Sequence, residues 1–233
     1  MRMSRSVSRL AAPWLLALML GSGGLLLPGC AGAYLLGGMA QNFEYQKKIE
    51  VPAQYPYLEN ETIAVIVDAD LGTQFEHPNL ITKVTGGLSL RLNRDVPNSR
   101  LLPPDAVLQW QYQTPQWNAM PFGQLAEELG VNRVVYVDIF EYRLHPPGNR
   151  WLWEGVASAN IYVIEADAPD PDLYEQFHVI AEFPAKTAVD YNSATREQIE
   201  TGVLSEFIKK TAWLFHDHIE PKYPDKYRPE LDA

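Results

Sequence analysis

The chain has 233 residues and carries 19 Lys+Arg against 29 Asp+Glu, a formal charge of −10. With no basic block it is excluded as a nucleic-acid surface, because phosphate neutralisation needs clustered cations. Apolar residues make up 46% and charged residues 21%, a globular composition, and the single cysteine excludes a disulfide framework or a multi-cysteine metal site.

The amino terminus reads as a secretory signal: Arg2, Arg5 and Arg9, then the apolar run Leu10 to Leu20, then Leu27-Pro28-Gly29-Cys30. Pro13, the glycines at 21–24 and Pro28 interrupt the run, which argues against a spanning helix. The last four residues resemble a bacterial lipobox, with an apolar residue three before the cysteine and a small one just before it. That resemblance implies acylation of Cys30, cleavage before it, and anchoring to the membrane through its acyl chains. Ala31 rather than Asp follows, which resembles the sorting of lipoproteins to the outer membrane, facing the periplasm. The expected organisation is a signal peptide over 1–29, a lipidated tether over 30–50, one domain over 51–221 and a tail over 222–233.

Val51 to Pro56 is expected to be extended, because residues before proline leave the helical region. Residues 62–67 (TIAVIV) predict a buried strand stopped by Asp68-Ala69-Asp70-Leu71-Gly72. Pro78 suits the first position of a helix carrying Leu80, Ile81, Val84 and Leu88, with Gly86-Gly87 a weak point inside it. Leu101-Leu102 predicts a very short strand. Helices open at Pro103-Pro104 and at Pro121, the latter stopped by Gly130. Residues 133–142 and 151–164 predict a hairpin; Trp151, Trp153, Gly155, Ala157, Ala159, Ile161 and Val163 share one face of its second strand. Residues 177–183 predict a third antiparallel strand. Thr195 with Gln198 predicts a capping box, followed by a long helix with Ile199, Val203, Phe207, Leu214 and Ile219 on one stripe. The order predicts an α/β (α+β) fold: one mixed sheet with a parallel first crossover and antiparallel hairpins, covered by helices including a long C-terminal one.

VPAQYPYLENETIAVIV, PDAVLQWQYQTPQW and FGQLAEELGVNRVVYVDIFEY resemble a family of uncharacterised bacterial envelope lipoproteins. In that family a tether leads to a Pro-Ala-x-Tyr segment and a Val-Ala-Val strand, and Asn132 stands where the pattern has Asp. More distantly the layout is similar to the amino-terminal domain of the Tol-Pal translocation protein and to curli-secretion-type lipoproteins. The resemblance implies a domain that binds other envelope proteins or assembles, rather than one that catalyses.

Several constellations bear on chemistry. Asp68-x-Asp70 at the end of a buried strand resembles the first motif of haloacid-dehalogenase-type phosphatases, with the first Asp as nucleophile and the second as general acid. Leu71 stands where that motif has Gly, and no downstream Gly-Asp-x-x-x-Asp follows a strand; the competing reading is a strand-ending turn. His216-Asp217-His218, placed in the last turn of the long helix, puts two imidazoles on different faces. Glu165, Asp167, Asp170, Asp172 and Glu175 crowd one loop without the glycine of a calcium loop, which predicts a solvated, self-repelling tip. Trp110, Tyr112, Trp117, Trp151 and Trp153 divide between core and an exposed protein- or glycan-binding surface. No phosphate loop, dinucleotide fingerprint or nucleophile elbow is present, so no cofactor is expected. The leading expectation is a membrane-anchored, non-catalytic binding or assembly module whose partners are envelope proteins. A periplasmic phosphatase-like hydrolase using Asp68 and Asp70, or an accessory lipoprotein of an envelope transport machine, is the alternative.

Overall fold

A computed structural model describes residues 44–228 except 171, 173 and 186. Cys30, the signal segment and most of the tether lie outside the described residues. The described chain groups into two units, one of residues 51–218 and a smaller one built from the residues on either side of it. In the smaller unit, β1 (Lys48–Val51) pairs with β9 (His218–Pro221). There Glu44 accepts from Lys222 at 2.6 Å and also pairs with Lys47, which together hold its carboxyl pKa down to about 2.

In the larger unit, β2 (Thr62–Ala69), β3 (Arg100–Leu101), β4 (Arg133–Arg143), β6 (Gly155–Glu165) and β7 (Tyr174–Phe183) form one five-stranded sheet in the order β3-β2-β4-β6-β7. Strand β2 is parallel to β3 and β4, and β4-β6 and β6-β7 are antiparallel. The expected mixed sheet with a parallel crossover is present. Beside it, β5 (Leu152–Trp153) and β8 (Val189–Asp190) pair as a short antiparallel ribbon. Ile63 to Val67 are all fully buried because β2 is covered on both faces, which is why its sequence is continuously apolar rather than alternating.

One face of the sheet carries the long α2 (Leu80–Asp95) and α5 (Arg196–Trp213). The main core lies between them, with Val84, Leu88, Val203 and Phe207 against Val65, Val137 and Ile161. The other face carries α3 (Pro104–Gln113), a 3-10 turn at Trp117–Ala119 and α4 (Phe122–Leu129). Local chemistry fixes the helix ends as read from the sequence. Pro104 opens α3, Gly130 ends α4 in the left-handed conformation (φ 63°), and Thr195 and Gln198 form the capping box of α5. Gly87 lies where α2 faces α5: a Cβ there would lie 2.6 Å from Ile208 Cδ1, the movable tip of that side chain.

Several expectations need correction. A short helix α1 (Leu71–Glu76) stands where a turn was expected, and α2 starts at Leu80 after Asn79, so Pro78 is not its first residue. Trp151 is 77% exposed and precedes β5 and β6, so it does not share their buried face. Helix α5 ends at Trp213, so His216-Asp217-His218 follow the helix, and Ile219 sits in β9, 65% exposed and off the stripe. Residues 218–221 pair with β1 instead of continuing the helix, so the chain leaves the helix well before Pro221. Strand β7 begins at Tyr174, earlier than the expected residue 177.

Candidate functional site

Asp68 and Asp70 do different jobs. Asp70 caps α1: its Oδ1 accepts from the N–H groups of Gly72 (2.8 Å) and Thr73 (3.1 Å), and its Oδ2 from the Thr73 hydroxyl (2.5 Å). The Thr73 hydroxyl and backbone bonds hold its pKa below the ordinary value. The turn chemistry that competes with the phosphatase reading therefore has a physical form: the second aspartate commits its carboxylate to the orphan donors of a helix.

Asp68 lies in a polar row across the sheet. The register places Asp68 beside Asp138, Asp138 beside Asn160, and Asn160 beside His178. Burial, with the Asp68 charge adding to it, raises the Asp138 pKa, and the Asn160 side chain restrains that rise. The Tyr136 hydroxyl approaches Asp68 Oδ2 at 3.4 Å, and burial pushes that phenol up as well. A cleft of about 450 Å³ opens beside the pair, lined by Asp68, Asp138, Gln74, Asn118, Leu71 and Phe140. Among the described residues, no lysine or arginine lines it. Phe140 is the extra residue of a register shift between Ile139 and Glu141 and stacks on the His178 ring, centroids 5.4 Å apart. Sequence reasoning misses Asp138, although a signal exists: AVIVDA and VYVDIF each break an apolar strand with one aspartate, and the parallel register makes them neighbours.

The other sequence candidates are dispersed. His216 faces Asp95 (Nε2 to Oδ2, 3.5 Å), whereas His218 stacks on Trp213 at 4.4 Å. The acidic loop is not simply a self-repelling tip. Asp167 pairs with the buried Arg133, Glu165 accepts from the Tyr55 hydroxyl at 2.5 Å, and Asp172 accepts from Gly123 N–H at 3.0 Å. Among the described residues, no group of three or more His, Cys, Asp or Glu is placed to hold a metal ion. Trp110 and Trp117 pack together at 6.2 Å over the sheet, and Trp153 is buried with its Nε1 donating to the Tyr191 and Ala194 carbonyls.

The helix that sequence reasoning misses carries the other notable feature. Leu71 and Phe75, four residues apart on α1, are 83% and 89% exposed. Two large apolar side chains on one helical face with no core beneath them contribute nothing to folding. They stand at the carboxyl ends of the parallel strands, next to the Asp68 cleft, which Leu71 also lines. In open α/β sheets this is where ligands bind.

No protein-family model matches the chain, and no curated protein is similar to it. Similar solved structures include the PelC dodecamer from Paraburkholderia phytofirmans, 10% identical over 73% of this chain and 98% of that one, TM-score 0.42. They also include the lipoprotein GNA1162 from Neisseria meningitidis, 12% identical over 65% and 97%, TM-score 0.42. The LpoB C-terminal domain from Salmonella enterica is 9% identical over 54% and 87%, TM-score 0.26. A bacterial lipoprotein is thus among the similar structures. Likeness at this level carries no functional argument, so the function has to be read from the residues of this chain.

Proposed function

We propose that the protein is a lipid-anchored lipoprotein of the bacterial envelope whose α/β domain docks another envelope protein and does not itself catalyse. The sequence supports the anchor: the only cysteine, Cys30, ends an apolar segment in a lipobox-like context, and Ala31 favours the outer membrane, periplasmic side. The observation that carries the docking role is the exposed Leu71–Phe75 pair on α1. Exposed apolar patches on a folded domain mark interaction sites, and their placement here is informative. Ala53 N–H donates to Asp217 and Tyr55 N–H to the Leu214 carbonyl, so the chain arriving from Cys30 joins the domain at the carboxyl end of α5. Strand β2 runs away from that end, and α1 follows it. The apolar pair therefore sits at the end of the domain opposite the point where the arriving chain joins it, where a periplasmic partner has access. The same surface would serve an accessory lipoprotein of a transport machine.

The test is a photoreactive benzophenone side chain at Phe75, compared with one at the exposed Glu59, in intact envelopes. Discrete adducts from position 75 that are absent from position 59 are expected. Identical patterns from both positions would end the reading. A hydrolase is the second reading because Asp138, its pKa raised, stands beside Asp68, an acid–base pair in outline. Magnesium-dependent phosphatase activity that disappears in Asp68→Asn would establish it in place of docking alone.

A further inference from the structure

Beside α1 lies a large open groove of about 810 Å³. One wall is Glu76 and His77, which follow Phe75; the others come from the β4–β5 loop (Arg143 to Trp151) and from Arg196 at the start of α5. Three arginines line it against one carboxylate, Glu76, in a chain whose overall charge is −10. Arg143 is committed to Glu141 at 2.9 Å and Glu154 at 2.7 Å. Arg150 and Arg196 are different: both are exposed, and among the described residues neither has a carboxylate partner. Trp151 stands next to them, its indole in water.

Arg196 is also misplaced for stability. It is the first residue of an 18-residue helix, where the backbone dipole favours acids and disfavours cations. Its guanidinium lies 3.3 Å from His77 Nδ1, and burial together with the Arg196 charge lowers the His77 pKa. The wall thus sets an imidazole with a lowered pKa beside the Arg196 guanidinium, which has no carboxylate partner among the described residues. Helix-dipole energetics alone favour Asp or Glu over Arg at position 196. An anionic occupant of the groove would offset that cost.

Deepening the docking role proposed above, and resting on it, we infer that the partner presents an acidic amphipathic segment, its carboxylates on Arg150 and Arg196 and its apolar side chains on Trp151, Leu71 and Phe75. Exposed tryptophan and arginine are the residue types that dominate protein–protein binding energy, and a guanidinium fork matches the two oxygens of a carboxylate. The groove is open, with the exposed Glu76, Arg150, Trp151 and Arg196 along it, which suits a length of chain rather than an engulfed small molecule. A second copy is disfavoured: its acidic β6–β7 loop lies at the other end of the sheet, beside Tyr55, and there engages Arg133 and Tyr55 of its own chain. Elsewhere the negative body repels an acidic segment and confines it to the groove.

The experiment uses the full chain in neutral-detergent micelles, with empty micelles subtracted. The probes are two fluorescein-labelled ten-residue peptides, one alternating Glu and Leu, the other Lys and Leu, with oligogalacturonate as competitor. The expected result is binding of the acidic peptide alone, weakened at least tenfold by Arg150→Glu with Arg196→Glu and also by Leu71→Ser with Phe75→Ser. Both arginines are exposed and hold no carboxylate, so the fold is retained; Arg150→Gln with Arg196→Gln replaces the reversal if that variant does not accumulate. Equal binding of both peptides, or acidic-peptide binding untouched by the arginine changes, overturns the inference. Direct binding of oligogalacturonate, read by calorimetry, with no acidic-peptide binding also overturns it, assigning the groove to an acidic glycan. If the Ser pair abolishes the envelope adducts from other α1 positions while the arginine reversal leaves them intact, docking at α1 stands and the acidic partner falls. If neither change affects those adducts, both fall.

Discussion

Phe207 and Ile219 test the packing of the C-terminal segment, because the apolar periodicity of the sequence assigns both to one stripe and the structure separates them. Phe207 is fully buried in the cluster that joins α5 to the sheet, whereas Ile219 lies in β9. Phe207→Ala removes a buried ring whose transfer from water is worth about 1.5–3 kcal/mol. It also leaves a cavity of roughly 100 Å³, which at about 24 cal/mol per Å³ adds about 2 kcal/mol before relaxation. The sum falls within the range of about 3–5 kcal/mol typical of such truncations. Against a total stability of about 5–15 kcal/mol, that loss is a large fraction. With a urea slope of about 2 kcal/mol/M, the midpoint should fall by about 1.5–2.5 M at unchanged slope. Ile219→Ala should stay within about 0.5 kcal/mol, as exposed positions do. Urea melts followed by circular dichroism decide both. A Phe207→Ala loss below about 1 kcal/mol, or an Ile219→Ala loss equal to it, would refute the packing described here.

Gly202→Ala should cost about 1–2 kcal/mol net, because its Cβ would lie 2.3 Å from the Phe183 ring, whereas Gly87→Ala should be near neutral because it meets only the tip of Ile208; equal losses in urea melts would contradict this. Asp138 binds its proton more tightly folded than unfolded, so it lowers stability as pH rises from the ordinary carboxylate range through its raised folded pKa. Asp138→Asn should therefore stabilise by less than about 1 kcal/mol at neutral pH, given its partial exposure, and the gain should vanish at acid pH; thermal melts across pH check the sign, and a variant less stable at neutral pH would refute it. Cys30→Ser should abolish labelling by radioactive fatty acid and leave the precursor uncleaved, and a labelled mutant would remove the anchor from the argument.

The sheet is legible in the sequence because its strands are written in β-branched runs bounded by prolines and glycines, and the helix ends because capping is local. TIAVIV, RVVYVDIFEY and the Thr195–Gln198 box need no tertiary knowledge. The features that escape are decided at a distance. The stripe of α5 extends past Trp213 on paper because Leu214 and Ile219 keep a helical spacing, and nothing local reveals that residues 218–221 pair with β1. Helix α1 is six residues long, too short for periodicity to show, so its exposed Leu71 and Phe75 hide inside a turn. The Asp68–Asp138 pair requires the parallel register, since the two residues lie on strands far apart in sequence. The groove draws residues from separated stretches of chain, and each arginine alone looks like an ordinary solvated charge.

The two ends of the sheet use their charges in opposite ways, and that contrast is what gives the groove its meaning. At the end where the arriving chain joins, Arg133 is almost fully buried and ringed by Glu61, Glu165 and Asp167, with Tyr55 closing the cluster through its bond to Glu165. A buried charge has to be satisfied within the fold, since leaving it unpaired costs several kcal/mol. The Pro-Ala-x-Tyr segment thus acts as a clasp, fixing the arriving chain to the domain and engaging the local acids. At the far end the half-buried Arg143 is likewise paired, with Glu141 and Glu154, but among the described residues Arg150 and Arg196 are not. Two guanidiniums have no carboxylate among the described residues, one of them against a helix dipole, and three large apolar side chains stand in water. Each is individually tolerable on a surface. Arg150, Arg196 and Trp151 line one groove, and Leu71 and Phe75 stand on the helix that leads into its wall; on a domain that pairs its buried arginine internally, this is the arrangement expected where the missing partners belong to another molecule.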